Sequence, residues 1–142
     1  MPQVTFYSLP DENNAAAVKA CNLIAEAYSR KQRCAVLCAS QQAAETVDDL
    51  LWQLPADRFV PHNMVGEGPP TGTPVEICWE ESQLSRRNMV VNLSEKMLSS
   101  LNHYQHIIDF VPHAEEAKKA ARIRYKQYQQ AGCSMQFQSA DN

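Results

Sequence analysis

Hydrophobic and polar positions along the 142 residues change period several times, and each change marks an element. Val4–Leu9 (VTFYSL) is rich in β-branched and aromatic residues and stops at Pro10, as a strand does. A long helix is expected next, capped by Asp11 or Asn13 and running to about Arg33, with Ala17, Cys21, Ile24, Ala25 and Tyr28 at helical spacing. Cys34–Cys38 (CAVLC) is a short unbroken apolar run, the mark of a strand buried on both faces. Ser40 fits a helix cap, and Ala44, Val47, Leu50 and Leu51 carry the following helix to Trp52. Val75–Trp79, Met89–Leu93 and His106–Val111 predict three further strands, with a short helix from Ser94 to near His103 between the last two. Ala114–Ala131 predicts a strong final helix that stops at Gly132. The polar stretch from about residue 136 is expected to fray.

Strands alternating with helices predict an α/β fold: one Rossmann-like domain over residues 1–142, with a mostly parallel sheet of four to five strands and helices on both faces. A hydrophobic content of 44% and a charged content of 20% are globular values. The net charge of −3 argues against nucleic-acid binding by bulk electrostatics, so contact with DNA is expected to be indirect. Five cysteines, no charged-then-apolar leader and no apolar run of membrane-spanning length make the reduced cytoplasm the economical location, with no membrane contact expected.

A doubly wound sheet invites a nucleotide site, which makes a small nucleotide-handling hydrolase or transferase the competing reading. The first strand–helix turn, LPDENNAAA, lacks the glycines that let a backbone approach a pyrophosphate, and no Walker-type motif occurs. Cys34 and Cys38 share one face of a strand, a spacing that favours core packing over metal ligation. No histidine sits beside a nucleophile with an orienting carboxylate. No catalytic residue, metal or cofactor is therefore assigned.

Two stretches point to binding instead. Between Trp52 and Trp79 the chain sets Trp52 and Phe59 around a polar turn and then runs through Pro61, His62 and Asn63. Three of the four glycines (Gly66, Gly68, Gly72) and three prolines (Pro69, Pro70, Pro74) follow. A long restrained loop with large aromatics, Phe59 flanked by Arg58, fits an interface; the competing reading puts both rings in the core, since Trp52 continues the apolar face of its helix. The last helix holds five of the 13 basic residues between Lys118 and Lys126. At ~100° per residue, Ala114, Ala117, Ala121, Tyr125 and Tyr128 form one stripe, expected to pack on the sheet. Lys118, Arg122 and Lys126 form a ridge beside it. A solvated basic face would explain that ridge; an anion site, with Arg122 gripping a carboxylate beside Tyr125, is the sharper alternative.

Several short blocks then occur in order across most of the chain. They are Thr5-Phe6-Tyr7, Leu51-Trp52, Phe59-Val60-Pro61-His62-Asn63, Gly66-Glu67-Gly68-Pro69, Pro74-Val75-Glu76-Ile77, Arg86-Arg87, Asp109-Phe110-Val111-Pro112 and Arg124-Tyr125-Lys126. Together they resemble the chi subunit of bacterial DNA polymerase III holoenzyme, a small accessory protein of the clamp-loader assembly. The resemblance implies a Rossmann-like fold and a non-catalytic adaptor. It implies that Trp52, Phe59, Pro61 and His62 meet the psi subunit of the clamp loader. It further implies that Val111, Lys118, Arg122, Tyr125 and Lys126 bind the acidic carboxy-terminal tail of single-stranded-DNA-binding protein. A helicase sharing the aromatic surface is left open. Gln127, Gln129 and Gln130 make the helix end less basic than the family pattern, and the chain beyond Cys133 matches poorly.

Overall fold

The computed structural model describes residues 1–54, 56, 59–69 and 72–139. Arg58, Pro70 and the last three residues of the expected polar tail lie outside them. The chain forms β1 (Gln3–Ser8), α1 (Ala15–Ser29), β2 (Cys34–Cys38), α2 (Gln41–Leu51), β3 (His62–Met64), β4 (Val75–Cys78), β5 (Met89–Leu93), β6 (His106–Val111), α3 (Glu115–Gln130) and β7 (Ser134–Ser139). One sheet holds all seven strands in the order β3-β4-β2-β5-β6-β1-β7, with every pairing parallel. The α/β, Rossmann-like class is as the sequence predicts, but among the described residues the sheet has seven strands rather than four to five.

The two extra strands are its edges. β3 pairs with β4 from His62 opposite Val75 to Met64 opposite Ile77. β7 runs beside β1 from Gln3 opposite Ser134 to Ser8 opposite Ser139, where a frayed tail was expected. Both are held mainly by backbone hydrogen bonds, which carry no hydrophobic signature.

Alternation along the strands builds a core on each face. Cys34, Val36 and Cys38 pack with α1 and α2, whereas Ala35 and Leu37 pack with Ala121 and Tyr128 of α3. The two cysteines thus share one buried face, and burial pushes both thiols up to about 12.

Helix ends follow local chemistry. Ser40 caps α2, its Oγ accepting from Ala43 N at 3.1 Å. α1 begins later than expected: neither Asp11 nor Asn13 caps it, and Asn14 does so in a left-handed conformation (φ 56°) after a turn in which Ala15 N donates to Glu12 O. It also ends before Arg33, in a turn where Lys31 N donates to Tyr28 O and Gln32 N to Ala27 O, both at 2.9 Å. That geometry puts Lys31 at φ 61°, a position glycine usually fills. α3 ends in the same kind of turn with the expected Gly132, at φ 97°. Strand β4 stops at Cys78 instead of Trp79. The helix expected from Ser94 is reduced to a 3₁₀ turn at Leu101–His103. Asn92 prevents it: its Oδ1 accepts from Ser94 N and its Nδ2 donates to Lys96 O, while Glu95 takes a left-handed conformation. No helix among the described residues is long and apolar enough to cross a membrane.

Candidate protein-binding sites

α3 lies on the sheet along Ala121, Arg124 and Tyr128, and this seating fixes what its flank presents. Phe6 of β1 packs against Tyr125 at 5.2 Å and Tyr128 at 6.1 Å between ring centroids. Tyr125 is therefore held by one face and open on the other. Beside it runs a cleft of about 410 Å³ lined by Ser8, Val111, Lys118, Ala121, Arg122, Tyr125 and Phe137. Four of the five residues assigned to the acidic tail meet in this cleft: Val111, Lys118, Arg122 and Tyr125. Lys126 lies one turn beyond Arg122, outside its wall.

Among the described residues the lining carries two cations and no carboxylate. Lys118 Nζ lies 3.6 Å from Glu115 on its own helix, an exposed pair of small energetic weight. Arg122 has no ion partner among the described residues, so its planar fork is free for an incoming anion. Phe137, 57% exposed on β7, forms the far wall. Sequence reasoning missed it because the tail was expected to fray. A lone aromatic in a polar strand was the available signal.

A buried ion pair sets the cleft's geometry. Arg124 Nε and Nη2 donate to Asp109 Oδ2 and Oδ1, both at 3.1 Å. Nη1 reaches Glu95 O at 3.0 Å and Nη2 also Phe110 O at 3.3 Å. One guanidinium thus ties α3 to the end of β6 and to the loop after β5, and Val111 follows Phe110 directly. Burial pushes the Asp109 carboxyl up, against the pull of Arg124, to about 6. The signal for this pair was present: Asp109 interrupts an apolar strand, and Arg124 occupies the sheet-facing stripe with Ala121 and Tyr128.

The second surface lies at the other edge of the sheet. Trp52, the residue capping α2, and Phe59 are 63% and 59% exposed, and their rings pack at a tilt of 36° with centroids 5.4 Å apart. Neither belongs to the core. Beneath them the buried His62 ring meets Trp52 edge-on at 5.0 Å. Its Nδ1 donates to Val60 O at 2.7 Å, and its Nε2 faces Asp48 Oδ1 at 3.2 Å without hydrogen-bonding alignment. His62 therefore props the aromatic pair, and Pro61 beside it is half-buried. The following loop is stapled by Asn63, whose Nδ2 donates to Met64 O at 2.8 Å and whose Oδ1 accepts from Thr73 Oγ1. Gly68 is packed so closely on Asn63 that an added Cβ would stand 2.5 Å from that side chain.

The crevice at the carboxyl ends of the strands, where open α/β sheets bind nucleotides, measures about 460 Å³. Asp11, Glu12 and Glu95 line it, with no lysine or arginine among the described residues. That electrostatics repels phosphate and does not support the nucleotide-handling alternative.

The family described as DNA polymerase III chi subunit, HolC, matches residues 1–136. The DNA polymerase III subunit chi of Escherichia coli (strain K12) is 35% identical over 141 residues, covering 95% of this chain and 96% of the relative. Its counterpart from Haemophilus influenzae is 37% identical over 133 residues and 92% of each chain, and that from Pseudomonas aeruginosa 23% identical over 137 residues. Among solved structures, the crystal structure of T4 UvsW superposes with a TM-score of 0.70 at 10% identity, over 97% of this chain and 41% of that one. At that identity the likeness is one of fold alone.

Proposed function

The chain belongs to the DNA polymerase III chi subunit family, and we propose that it acts there as a non-catalytic adaptor between the clamp loader and single-stranded-DNA-binding protein. The aromatic surface of Trp52 and Phe59 holds the psi subunit, with His62 and Pro61 supporting it. The cleft at α3 takes the acidic carboxy-terminal tail of the single-stranded-DNA-binding protein: Arg122 pairs with the terminal carboxylate, Lys118 and Lys126 supply field, and Val111, Tyr125 and Phe137 receive an aromatic side chain. The observation that carries this reading is the convergence of Val111, Lys118, Arg122 and Tyr125 on one cleft with no carboxylate among its described lining residues.

Separation of the two surfaces favours a tether. β3 and β1 are five strand positions apart, about 24 Å at the usual spacing, so both partners fit at once. Two modest contacts joined by a rigid body raise the effective concentration of the polymerase machinery on coated template. The adaptor works in the cytoplasm and reaches the template chiefly through its protein partner.

A sequential capture experiment tests this. Immobilised psi should retain the chain, and the retained chain should then bind single-stranded-DNA-binding protein. Trp52→Ala should weaken retention on psi yet still bind single-stranded-DNA-binding protein in a separate titration, and Arg122→Ala should be retained on psi but fail the second step. Mutually exclusive partners would refute the adaptor.

A further inference from the structure

A third basic cluster is used by neither surface. Arg33, Arg86, Arg87, Asn88, His103 and Gln105 line a shallow cleft of about 240 Å³. Arg33, Asn88 and Gln105 directly precede β2, β5 and β6, so the cleft sits at the amino ends of the strands. The α3 cleft draws on Ser8 and Val111, the last residues of β1 and β6, at the opposite end of the sheet.

The fold brings like charges together here. Arg33 Nη2 and Arg87 Nη1 donate to the same oxygen, Thr73 O, at 3.1 and 2.6 Å. One carbonyl dipole thus holds two guanidinium groups side by side. The compensating carboxylate, Glu76, is 3.9 Å from Arg87 Nη2, too far for a good hydrogen bond. Burial, and secondly Arg33, press the Arg87 pKa downward. The Arg87 side chain is only 6% exposed, so its charge is fixed in place behind the cleft. Arg86 stands exposed without an ion pair or hydrogen-bond partner among the described residues. Asn88 is oriented by accepting from Arg33 N at 3.0 Å, and Gln105 keeps its amide donors uncommitted.

From this arrangement we infer that the amino edge of the sheet is a phosphoryl-binding site. The donors come from three separate strand approaches and line one cleft. A tetrahedral, multiply charged oxyanion satisfies such a set, whereas a planar carboxylate uses one coplanar fork. Among the described residues, no exposed aromatic side chain other than the His103 imidazole lines the cleft, and that ring is met edge-on by the buried Tyr104. The site therefore grips phosphate and does not stack bases. Free phosphate and the backbone of a single strand share this chemistry. On a chain of net charge −3 the contact is weak alone, and it fills when a tether supplies local concentration.

Backbone amide shifts of the whole chain distinguish the sources. Inorganic phosphate and a short oligodeoxythymidine are titrated separately, with an acidic peptide ending in an aromatic residue as the third probe. Phosphate and the oligonucleotide should both move Arg33, Asn88 and Gln105; phosphate alone doing so would assign a small-anion site, with the backbone source rejected. The peptide should move Lys118, Arg122 and Tyr125 instead. Arg86→Glu, at a side chain with no described partner, should erase the first set and leave the second. Arg86→Ala should lower the salt slope of oligonucleotide binding by about 0.7, one phosphate contact. Phosphate shifts spread evenly over all basic residues, an unaltered response in Arg86→Glu, or displacement of phosphate from this edge by the peptide would each overturn the assignment. Because the peptide response is read in the same spectra, failure here is distinct from failure of the α3 cleft.

Discussion

Replacing Arg124 by methionine should be among the most damaging single changes in the molecule, and its pH dependence should show why. Methionine keeps most of the volume but removes the hydrogen bonds to both Asp109 oxygens, Phe110 O and Glu95 O. Asp109, 1% exposed, keeps only the donation from Phe110 N at 2.7 Å. Breaking a buried pair from one side costs about 3–5 kcal/mol, because the other charge stays buried. The Asp109 carboxyl already stands near 6 against an ordinary 3.8, and without Arg124 the opposing pull is gone and it rises further. The folded state then holds a proton that the unfolded chain has released. Such a group contributes stability that is present at low pH and lost as pH rises through its folded pKa. The deficit of Arg124→Met relative to the parent should therefore shrink by about 1 kcal/mol from pH 7 to pH 5. Urea unfolding at the two pH values measures it. The double variant Asp109→Leu with Arg124→Met should recover a large part of the loss, since an apolar pair leaves no orphaned charge. Strictly additive single losses, or a deficit that grows on acidification, would refute the pair as the element seating α3.

Three other outcomes follow from the same structure. Trp52→Ala and Phe59→Ala should each weaken psi binding by about 2 kcal/mol or more with little change in melting temperature, since both rings are largely exposed; unfolding without a separable binding defect, read by circular dichroism and a psi titration, would return them to the core. Lys31→Gly should stabilise the chain by about 1 kcal/mol in urea, because it removes a side chain from a left-handed position at φ 61°. Gly68→Ala should destabilise by about 1–3 kcal/mol, as its methyl meets the anchored Asn63 side chain, and Asn63→Ala should relieve that added penalty in a double-mutant cycle.

What was legible in the sequence follows the physics of each element. The central strands CAVLC, MVVNL and HIIDFV are buried on both faces, so composition alone announces them. Ser40 and Gly132 announce helix ends because a side-chain acceptor and a positive φ are local requirements. The edge strands HNM and SMQFQS were illegible, since both join mainly through their backbones: HNM is three residues long, and SMQFQS leaves most of its polar side chains exposed. The basic ridge of α3 could be read from spacing, but the opposite wall at Phe137 comes from β7, brought alongside β1 only by the sheet. Asp109 and Arg124 are 15 residues apart on different elements, and only packing α3 against β6 makes them partners. Asn92 likewise replaces an expected helix with a side-chain-closed turn that apolar periodicity cannot reveal.

The adaptor account rests most directly on the α3 cleft, and calorimetry with one peptide tests it. The peptide is acidic and ends in an aromatic residue, prepared both as the free acid and as the carboxy-terminal amide. The free acid should bind the chain, weakening as salt is added. Arg122→Ala should lose about 2–5 kcal/mol if the pair is desolvated on binding, Arg122→Lys should not restore it, and Tyr125→Ala should weaken the aromatic contact. Amidation, which keeps the ring and removes the terminal charge, should reduce binding by a similar amount to Arg122→Ala and add little to that variant. An amide that binds the chain as tightly as the acid, or an Arg122→Ala variant with unchanged affinity, would contradict the carboxylate site and with it the adaptor.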